Sequence, residues 1–122
     1  MPHMIVEYSD NIQKLDTQTL MMDLNQALFD TALIGHPDEI KTRIRANAEF
    51  LIGFGDTQQA YIHVCLEILT GRTAEQKAKM ADALIGALQS FKNYQAQDLN
   101  VQLCVELNEM PREDYRKISV HQ

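Results

Sequence analysis

The chain has 122 residues, enough for one domain with its own core, and apolar residues make up 45% of it, as in globular proteins. Its formal net charge of −6 argues against nucleic acid or an anionic membrane surface as a partner. No apolar run is long enough to cross a membrane and no secretion leader opens the chain, so we expect a cytoplasmic protein.

The cysteines and histidines give no sign of a disulfide or a metal site. Cys65 and Cys104 lie within apolar, strand-like segments, which is typical of buried and reduced thiols. The four histidines lack the spacing of metal ligands, such as a pair four residues apart with an acidic partner. We therefore expect neither a metal ion nor another cofactor.

The first half of the chain is predicted to form a strand, a helix and a second strand. Residues 3–9 are rich in β-forming side chains that alternate between two faces. Asp16 or Thr17 can cap a helix that runs to about residue 32, because leucines and other apolar residues recur there at helical spacing. A glycine and a proline then end the helix, and residues 40–46 form the second strand.

Three cationic side chains fall on one face of that second strand. Lys41, Arg43 and Arg45 alternate with Ile40, Thr42 and Ile44 along it. Such a face is either a solvated outer surface or a wall that binds an anion. The strand pattern alone leaves both interpretations open.

The second half repeats the order strand, helix, strand. Residues 61–69 alternate as a strand, and Thr73 with Gln76 three residues later forms a capping box that starts the second helix. Residues 99–107 form the last strand. Residues 49–54, between the halves, are expected as a short extra strand beside a glycine-containing loop that could cover a site.

The two halves register when the sequence is shifted by sixty positions, so we predict an internal repeat. His3 then falls on His63, and the leucines of the first helix fall on apolar residues of the second. Two βαβ units, at about residues 2–50 and 60–110, predict an α/β (α+β) fold with a four-stranded sheet and two helices on one face. Another copy of the chain would cover the free face in a closed homo-oligomer. The tail, residues 111–122, either packs on a neighbour as an arm or stays loose.

The proline at position 2 is the most unusual feature of the amino terminus. A small second residue permits removal of the initiator methionine, which would leave Pro2 with a free secondary amine. Such an amine is basic and nucleophilic, and burial or nearby cations change its pKa. The simpler alternative is a proline in a frayed terminus, but a strand begins directly after it.

Two motifs carry a resemblance to a known family. The opening residues, Pro-His-x-Ile-Val-Glu-x-Ser-Asp-Asn-Ile from Pro2 to Ile12, closely resemble the start of the 5-carboxymethyl-2-hydroxymuconate isomerases. The turn from Leu69 to Lys77, Leu-Thr-Gly-Arg-Thr-Ala-Glu-Gln-Lys, resembles the 4-oxalocrotonate tautomerases. The resemblance implies the tautomerase fold and a homotrimer that imitates a hexamer of half-length chains.

The resemblance also implies a set of site residues. Pro2 would be the catalytic base, Arg72 the arginine of the strand–helix turn, and Arg43 the arginine of the second strand. Lys41 or Arg45 could take the place of Arg43, because the register is not fixed by the motif. An apolar side chain beside the proline would be Phe54 or Phe50.

The implied reaction is an enol-to-keto proton transfer in an unsaturated di- or tricarboxylate such as 5-carboxymethyl-2-hydroxymuconate. General base catalysis by neutral Pro2 would be assisted by arginines that bind the substrate carboxylates. Two alternatives stay open: another proline-dependent reaction, such as hydration or dehalogenation, and a non-enzymatic oligomer that binds a carboxylate. Arg72 could also be a solvated residue before a helix, and Arg43 could pair with an acidic residue of a neighbour.

Overall fold

Two strand–helix–strand units form one four-stranded sheet with both helices on the same face. The structure is a computed structural model that describes residues 1–122. Its main elements are β1 (His3–Ser9), α1 (Thr17–Phe29), β2 (Lys41–Asn47), β3 (Gln59–Leu69), α2 (Ala74–Ser90) and β4 (Asn100–Met110). Single 3-10 turns at Pro37–Glu39 and Arg112–Asp114 precede β2 and follow β4.

The strand order is β2-β1-β3-β4, which makes the sheet mixed. Each unit pairs its own strands in parallel, and the central strands β1 and β3 run antiparallel with Val6 opposite Val64. The amino ends of β1 and β2 therefore share one end of the sheet with the carboxyl ends of β3 and β4. The predicted fold class, with its paired βαβ units, is confirmed.

The core lies between the sheet and the two helices. Alternate residues of β1 and β3, such as Met4 and Val64, are fully buried beneath the helices. Leu24 and Leu84 are fully buried on the facing helix stripes. At about 25 cal/mol per Å² of apolar surface removed from water, this contact is the main stabilising term.

The first helix begins as predicted and ends earlier than predicted. The Asp16 carboxylate accepts a hydrogen bond from the Thr19 backbone N–H at 3.1 Å, which caps the first turn. The helix ends at Phe29 rather than near residue 32. Ala32 has a φ of 63°, a left-handed conformation that cannot continue a right-handed helix.

The second helix begins with the predicted capping box. The Thr73 hydroxyl accepts from the Gln76 N–H at 3.1 Å, and the Gln76 side chain accepts from the Thr73 N–H at 3.0 Å. Two backbone N–H groups at the start of the helix are thereby satisfied. Met80, Leu84 and Leu88 form its buried stripe.

The extra strand predicted at residues 49–54 does not form. The segment is irregular, and Gly53 and Gly55 have φ angles of 59° and 74°. Such angles lie outside the extended region that a strand requires. The Gly55 N–H instead donates to the Ile52 carbonyl at 3.0 Å, which closes a turn.

The boundaries of three strands also differ from the predictions by one to three residues. β2 begins at Lys41, β3 begins at Gln59, and β4 extends from Asn100 to Met110. The ends of a strand depend on its pairing with the neighbouring strand and not only on its own alternation. Leu69 at the end of β3, for example, lies opposite Met110 at the end of β4. No helix has both the length and the apolar character needed to span a membrane.

Candidate active site

Pro2 is buried at the point where β1 begins. Its carbonyl accepts a hydrogen bond from the Lys41 N–H at 3.1 Å, which ties it to the start of β2. His3 and Glu67 lie opposite each other across β1 and β3 at the same end. Pro2 is therefore held in place by the sheet and does not belong to a frayed terminus.

The chain's amino group lies beside Pro2 and has one acidic partner. Met1 precedes Pro2, so the Pro2 nitrogen is part of a peptide bond and the free amine belongs to Met1. That ammonium contacts Glu39 Oε2 at 3.1 Å. Burial lowers the pKa of the Met1 amine; the Glu39 carboxylate raises it, and the cations Lys41 and Arg72 lower it further. Burial prevails, and the pKa lies below its ordinary value.

Arg72 reaches this end of the sheet from the turn between β3 and α2. The turn requires Gly71, whose φ of 126° favours glycine. The Arg72 Nη2 donates to the Leu33 carbonyl at 3.0 Å, which fixes a partly buried guanidinium. Its charge acts on the amine of Met1. The structure thus brings Arg72 and the Pro2 region together.

The three cations of β2 share one face, as predicted, but they lie at different distances from Pro2. Lys41 lies opposite His3, Arg43 opposite Ile5 and Arg45 opposite Glu7. Lys41 is therefore the cation nearest the amino end, and its Nζ donates to the Glu39 carbonyl at 2.6 Å.

Arg45 lies farthest from Pro2 and has a partner of its own. Its Nε contacts Glu7 Oε1 at 3.4 Å, and its side chain is 72% exposed. Arg43 is exposed between the two other cations and is close enough to His3 to act on its pKa. Alternation along β2 places all three cations on one face, and only the register with β1 shows how far each lies from Pro2.

The two phenylalanines lie away from Pro2 within this chain. Both belong to the loop after β2, which lies at the end of β1 opposite to Pro2. The seven residues of β1, at about 3.3 Å each, place the two ends of this strand about 20 Å apart. Phe54 is 93% exposed. Phe50 packs edge-on against Tyr61, with 6.1 Å between the ring centroids. Neither side chain therefore flanks Pro2 of its own chain.

Three groups at the Pro2 end were missed by sequence reasoning. Glu39 contacts the amino group, and the His3 Nε2 lies 3.0 Å from the Tyr115 hydroxyl. Burial, followed by Lys41 and Arg43, lowers the pKa of His3. Glu39 lies two residues before the cationic strand, and no motif marks it. No local signal links His3 to a residue 112 positions away.

The helix-free face of the sheet carries an open cavity of about 590 Å³. Ile5, Arg43 and Cys65 line it, and there the His63 Nε2 lies 2.7 Å from a Glu106 carboxylate oxygen. Burial raises the pKa of the Cys65 thiol. No three His, Cys, Asp or Glu side chains are arranged to hold a metal ion.

Comparison with known proteins identifies the family. The family model of 5-carboxymethyl-2-hydroxymuconate isomerase matches residues 2–122. Among solved structures, the chain is similar to a 5-carboxymethyl-2-hydroxymuconate isomerase from Deinococcus radiodurans R1, with 26% identity, a TM-score of 0.83, and coverage of 98% of this chain and 90% of the other. No curated protein sequence matches significantly.

More distant structures share the fold. A 5-carboxymethyl-2-hydroxymuconate delta-isomerase is 15% identical with a TM-score of 0.80, covering 98% of this chain and 89% of the other. A fused 4-OT described as a wild-type symmetric trimer is 20% identical with a TM-score of 0.69, covering 93% and 89%. The match over nearly the whole length shows that the chain belongs to the 5-carboxymethyl-2-hydroxymuconate isomerase family and is an enzyme of this isomerase type.

Proposed function

We propose that the protein catalyses an enol-to-keto proton transfer in an unsaturated di- or tricarboxylate such as 5-carboxymethyl-2-hydroxymuconate. The catalytic base is the secondary amine of Pro2, which removal of Met1 exposes. Family membership supports the isomerase activity. The substrate class and the role of Pro2 are our proposal.

One observation supports the role of Pro2 as the base. Pro2 is buried at the end of the chain where Lys41 and Arg72 act on the amino group. An ordinary α-amine has a pKa of about 7.7–8.0 and is largely protonated at neutral pH. Burial, Lys41 and Arg72 all lower the pKa of the amine at this end of the chain. We expect the same surroundings to lower the pKa of an exposed Pro2 amine, so that it is neutral and able to accept a proton.

The proton then moves within the substrate and nothing else is consumed. The Pro2 nitrogen takes the proton of the enol hydroxyl, which leaves a dienolate. The nitrogen returns a proton to a carbon of the dienolate, the C=O bond forms, and the double bonds shift. Substrate and product are isomers, and the amine ends neutral as it began.

Cations bind the substrate and stabilise the negative charge that develops on it. Arg72 is suited to a bidentate contact with a carboxylate, and its fixed guanidinium requires little reorganisation. Lys41 is the β2 cation nearest to Pro2, so we propose it as the second carboxylate-binding group. Arg43 extends the same positive surface toward Ile5, and Arg45 is a weaker candidate because Glu7 already neutralises it.

We further propose that the whole chain is one domain and assembles as a homotrimer. The edge strand β2 presents Lys41, Arg43 and Arg45 on the helix-free face, whereas β4 presents Glu106 there. A cationic edge on one copy and an acidic edge on the next favour a head-to-tail contact, and such contacts can close into a ring. A protein of similar fold is described as a symmetric trimer. Phe54, exposed and distant from its own Pro2, would reach a site only from a neighbouring copy.

The proposed location rests on the thiols of the chain, and the proposed metabolic role rests on the substrate. Free thiols at Cys65 and Cys104 suit a reducing compartment, so we propose that the protein works in the cytoplasm. A ring-opened hydroxymuconate is the product of an oxidative cleavage of an aromatic ring. The proposed role is therefore in the breakdown of aromatic compounds.

The test is the ketonisation of 2-hydroxymuconate, followed by ultraviolet absorbance. Protein whose mass confirms the loss of Met1 is compared with a matched protein that carries an N-terminal extension. The extension leaves every side chain in place but keeps the Pro2 nitrogen in an amide, which cannot act as a base. We expect the extension to slow the reaction by about 10²–10⁴-fold, the usual contribution of a general base.

Pro2→Ala with its methionine removed is the second variant. It retains a primary amine, so we expect a smaller loss than the extension causes. Equal rates for the exposed and extended proteins would exclude the amine as the base. A panel of carboxymethyl-bearing analogues then identifies the substrate.

A further inference from the structure

The segment from Pro111 to Lys117 crosses the end of the sheet that holds Pro2. It leaves β4 at Met110, and the Arg112 Nη2 then donates to the Thr70 carbonyl at 3.0 Å, at the end of β3. After one 3-10 turn the Tyr115 hydroxyl lies 3.0 Å from the His3 Nε2, at the start of β1. The segment thus passes from one edge of the sheet to its centre and is anchored at two points.

The contact with His3 acts on the residue that directly follows Pro2. Burial, Lys41 and Arg43 lower the pKa of His3, which favours a neutral ring. A neutral imidazole has one nitrogen that accepts a hydrogen bond, and the Tyr115 hydroxyl can donate to it. The rings of His3 and Tyr115 also contact each other, with centroids 6.1 Å apart.

Lys117 brings a further positive charge to the same end. It follows Tyr115 by two residues, and its ammonium lies close enough to Glu39 to help lower the pKa of that carboxyl group, after the larger effect of the Met1 ammonium. Glu39 itself contacts the amino group beside Pro2. Lys117 therefore lies near the carboxylate that contacts the amino group, and no hydrogen bond in the structure occupies its ammonium.

We propose that residues 111–117 form one wall of the Pro2 site, with Tyr115 as the positioning residue that anchors the wall to His3. Lys117 then binds a third carboxylate of the substrate. This inference rests on the proposed function and deepens it: Arg72 and Lys41 bind two carboxylates, and the C-terminal wall selects a tricarboxylate over a dicarboxylate.

Calorimetric binding of two saturated acids tests the wall without any reaction. Glutarate and tricarballylate share a three-carbon chain between their terminal carboxylates and differ by one central carboxylate. We expect the parent protein, with Met1 removed, to bind tricarballylate more tightly. Lys117→Gln should reduce that preference about 3- to 5-fold, the effect of one solvent-accessible ion pair, and Lys117→Arg should keep it.

Two further variants separate positioning from general effects. Tyr115→Phe removes only the hydroxyl and should weaken the preference in the same direction while leaving glutarate binding unchanged. Lys92→Gln removes one exposed charge beyond the end of α2 and should leave both affinities unchanged. In the enzymatic assay, Lys117→Gln should raise KM for a tricarboxylate dienol and leave kcat within about twofold.

The inference is overturned if Lys117→Gln and Tyr115→Phe keep the parent's preference. It is also overturned if Tyr115→Phe changes the molar mass measured by light scattering, because the segment would then act through assembly. A protein with exposed Pro2 that fails to ketonise the dienol but keeps the Lys117-dependent preference would contradict the proposed function alone. The two failures are therefore distinguishable.

Discussion

The two ends of the sheet collect different side chains. The end with Pro2 gathers charges: Lys41, Arg72 and Glu39 lie close to the chain's amino group. The opposite end, where β1 stops, is dominated by neutral amides around an open cavity of about 610 Å³. Its amide-bearing residues are Asn11, Gln13, Gln58, Gln95 and Gln97.

The side chains at the amide end form structural hydrogen bonds, whereas those at the Pro2 end change the pKa of an amine. At the amide end, Gln13 and Gln95 exchange two backbone hydrogen bonds of 2.8 and 2.7 Å, and Asn11 Nδ2 donates to the Gln59 carbonyl at 2.8 Å. These hydrogen bonds join neighbouring loops through uncharged groups. At the Pro2 end, cations act on a partly buried amine, which is the arrangement that base catalysis requires.

Among the charged side chains at the Pro2 end, the loss of the Arg72 guanidinium should lower catalysis most. We expect Arg72→Gln to lower kcat/KM about 10- to 100-fold, because a hydrogen bond to a charged group contributes about 1.5–3 kcal/mol. The loss of kcat/KM is measured from initial rates with 2-hydroxymuconate. Arg45→Gln is the matched control: its side chain is 72% exposed and paired with Glu7, so we expect a change within about twofold. Similar losses in both variants would contradict a special role for Arg72.

A smaller effect should distinguish the cations of β2. We expect Lys41→Gln to lower kcat/KM about tenfold, as one partly screened contact to a carboxylate, and Arg43→Gln to lower it less. The reason is the register, which places Lys41 opposite His3 and Arg43 two residues farther along. The reverse order of losses would show that the substrate extends over the helix-free face.

Most of the fold could be predicted from the sequence because its signals are local. Alternation in β1 and β3 and the capping box at Thr73 each specify an element within a few residues. The exceptions arise where the backbone leaves the common conformations. α1 ends at Phe29, and Ala32 shortly after it has a positive φ. The apolar stretch before Gly53 is irregular and leads into a turn, although its composition favours a strand.

The site was less predictable because it depends on contacts between distant segments. Alternation puts Lys41, Arg43 and Arg45 on one face, but only pairing with β1 shows which of them meets Pro2. Tyr115 approaches His3 from a tail without any periodic pattern. The motif around Arg72 was informative because a strand–turn–helix connection fixes the position of its side chain locally.

The pH dependence of the rate should respond in opposite directions to two neighbouring charges. A cation lowers the pKa of the amine and a carboxylate raises it. In protein with exposed Pro2, Lys41→Gln should therefore move the acidic limb of the kcat/KM profile to higher pH, and Glu39→Gln should move it to lower pH. The profile is measured from about pH 5 to 9, around the ordinary amine pKa. Shifts of the same sign would mean that the limb reports another group.

The smallest effect on catalysis should come from the amide end. Asn11→Ala removes the donor to the Gln59 carbonyl, so we expect the free energy of unfolding to fall by about 1–2 kcal/mol, measured by urea denaturation at one fixed protein concentration. Gln97→Ala, an exposed amide in the same cavity, should change it by less than about 0.5 kcal/mol. Both variants should keep the parent's kcat/KM per folded molecule, because neither alters a charge near Pro2. A loss of activity in Asn11→Ala at full folding would mean that the two ends are coupled, as they would be if Pro2 of one copy met the loop after β2 of another.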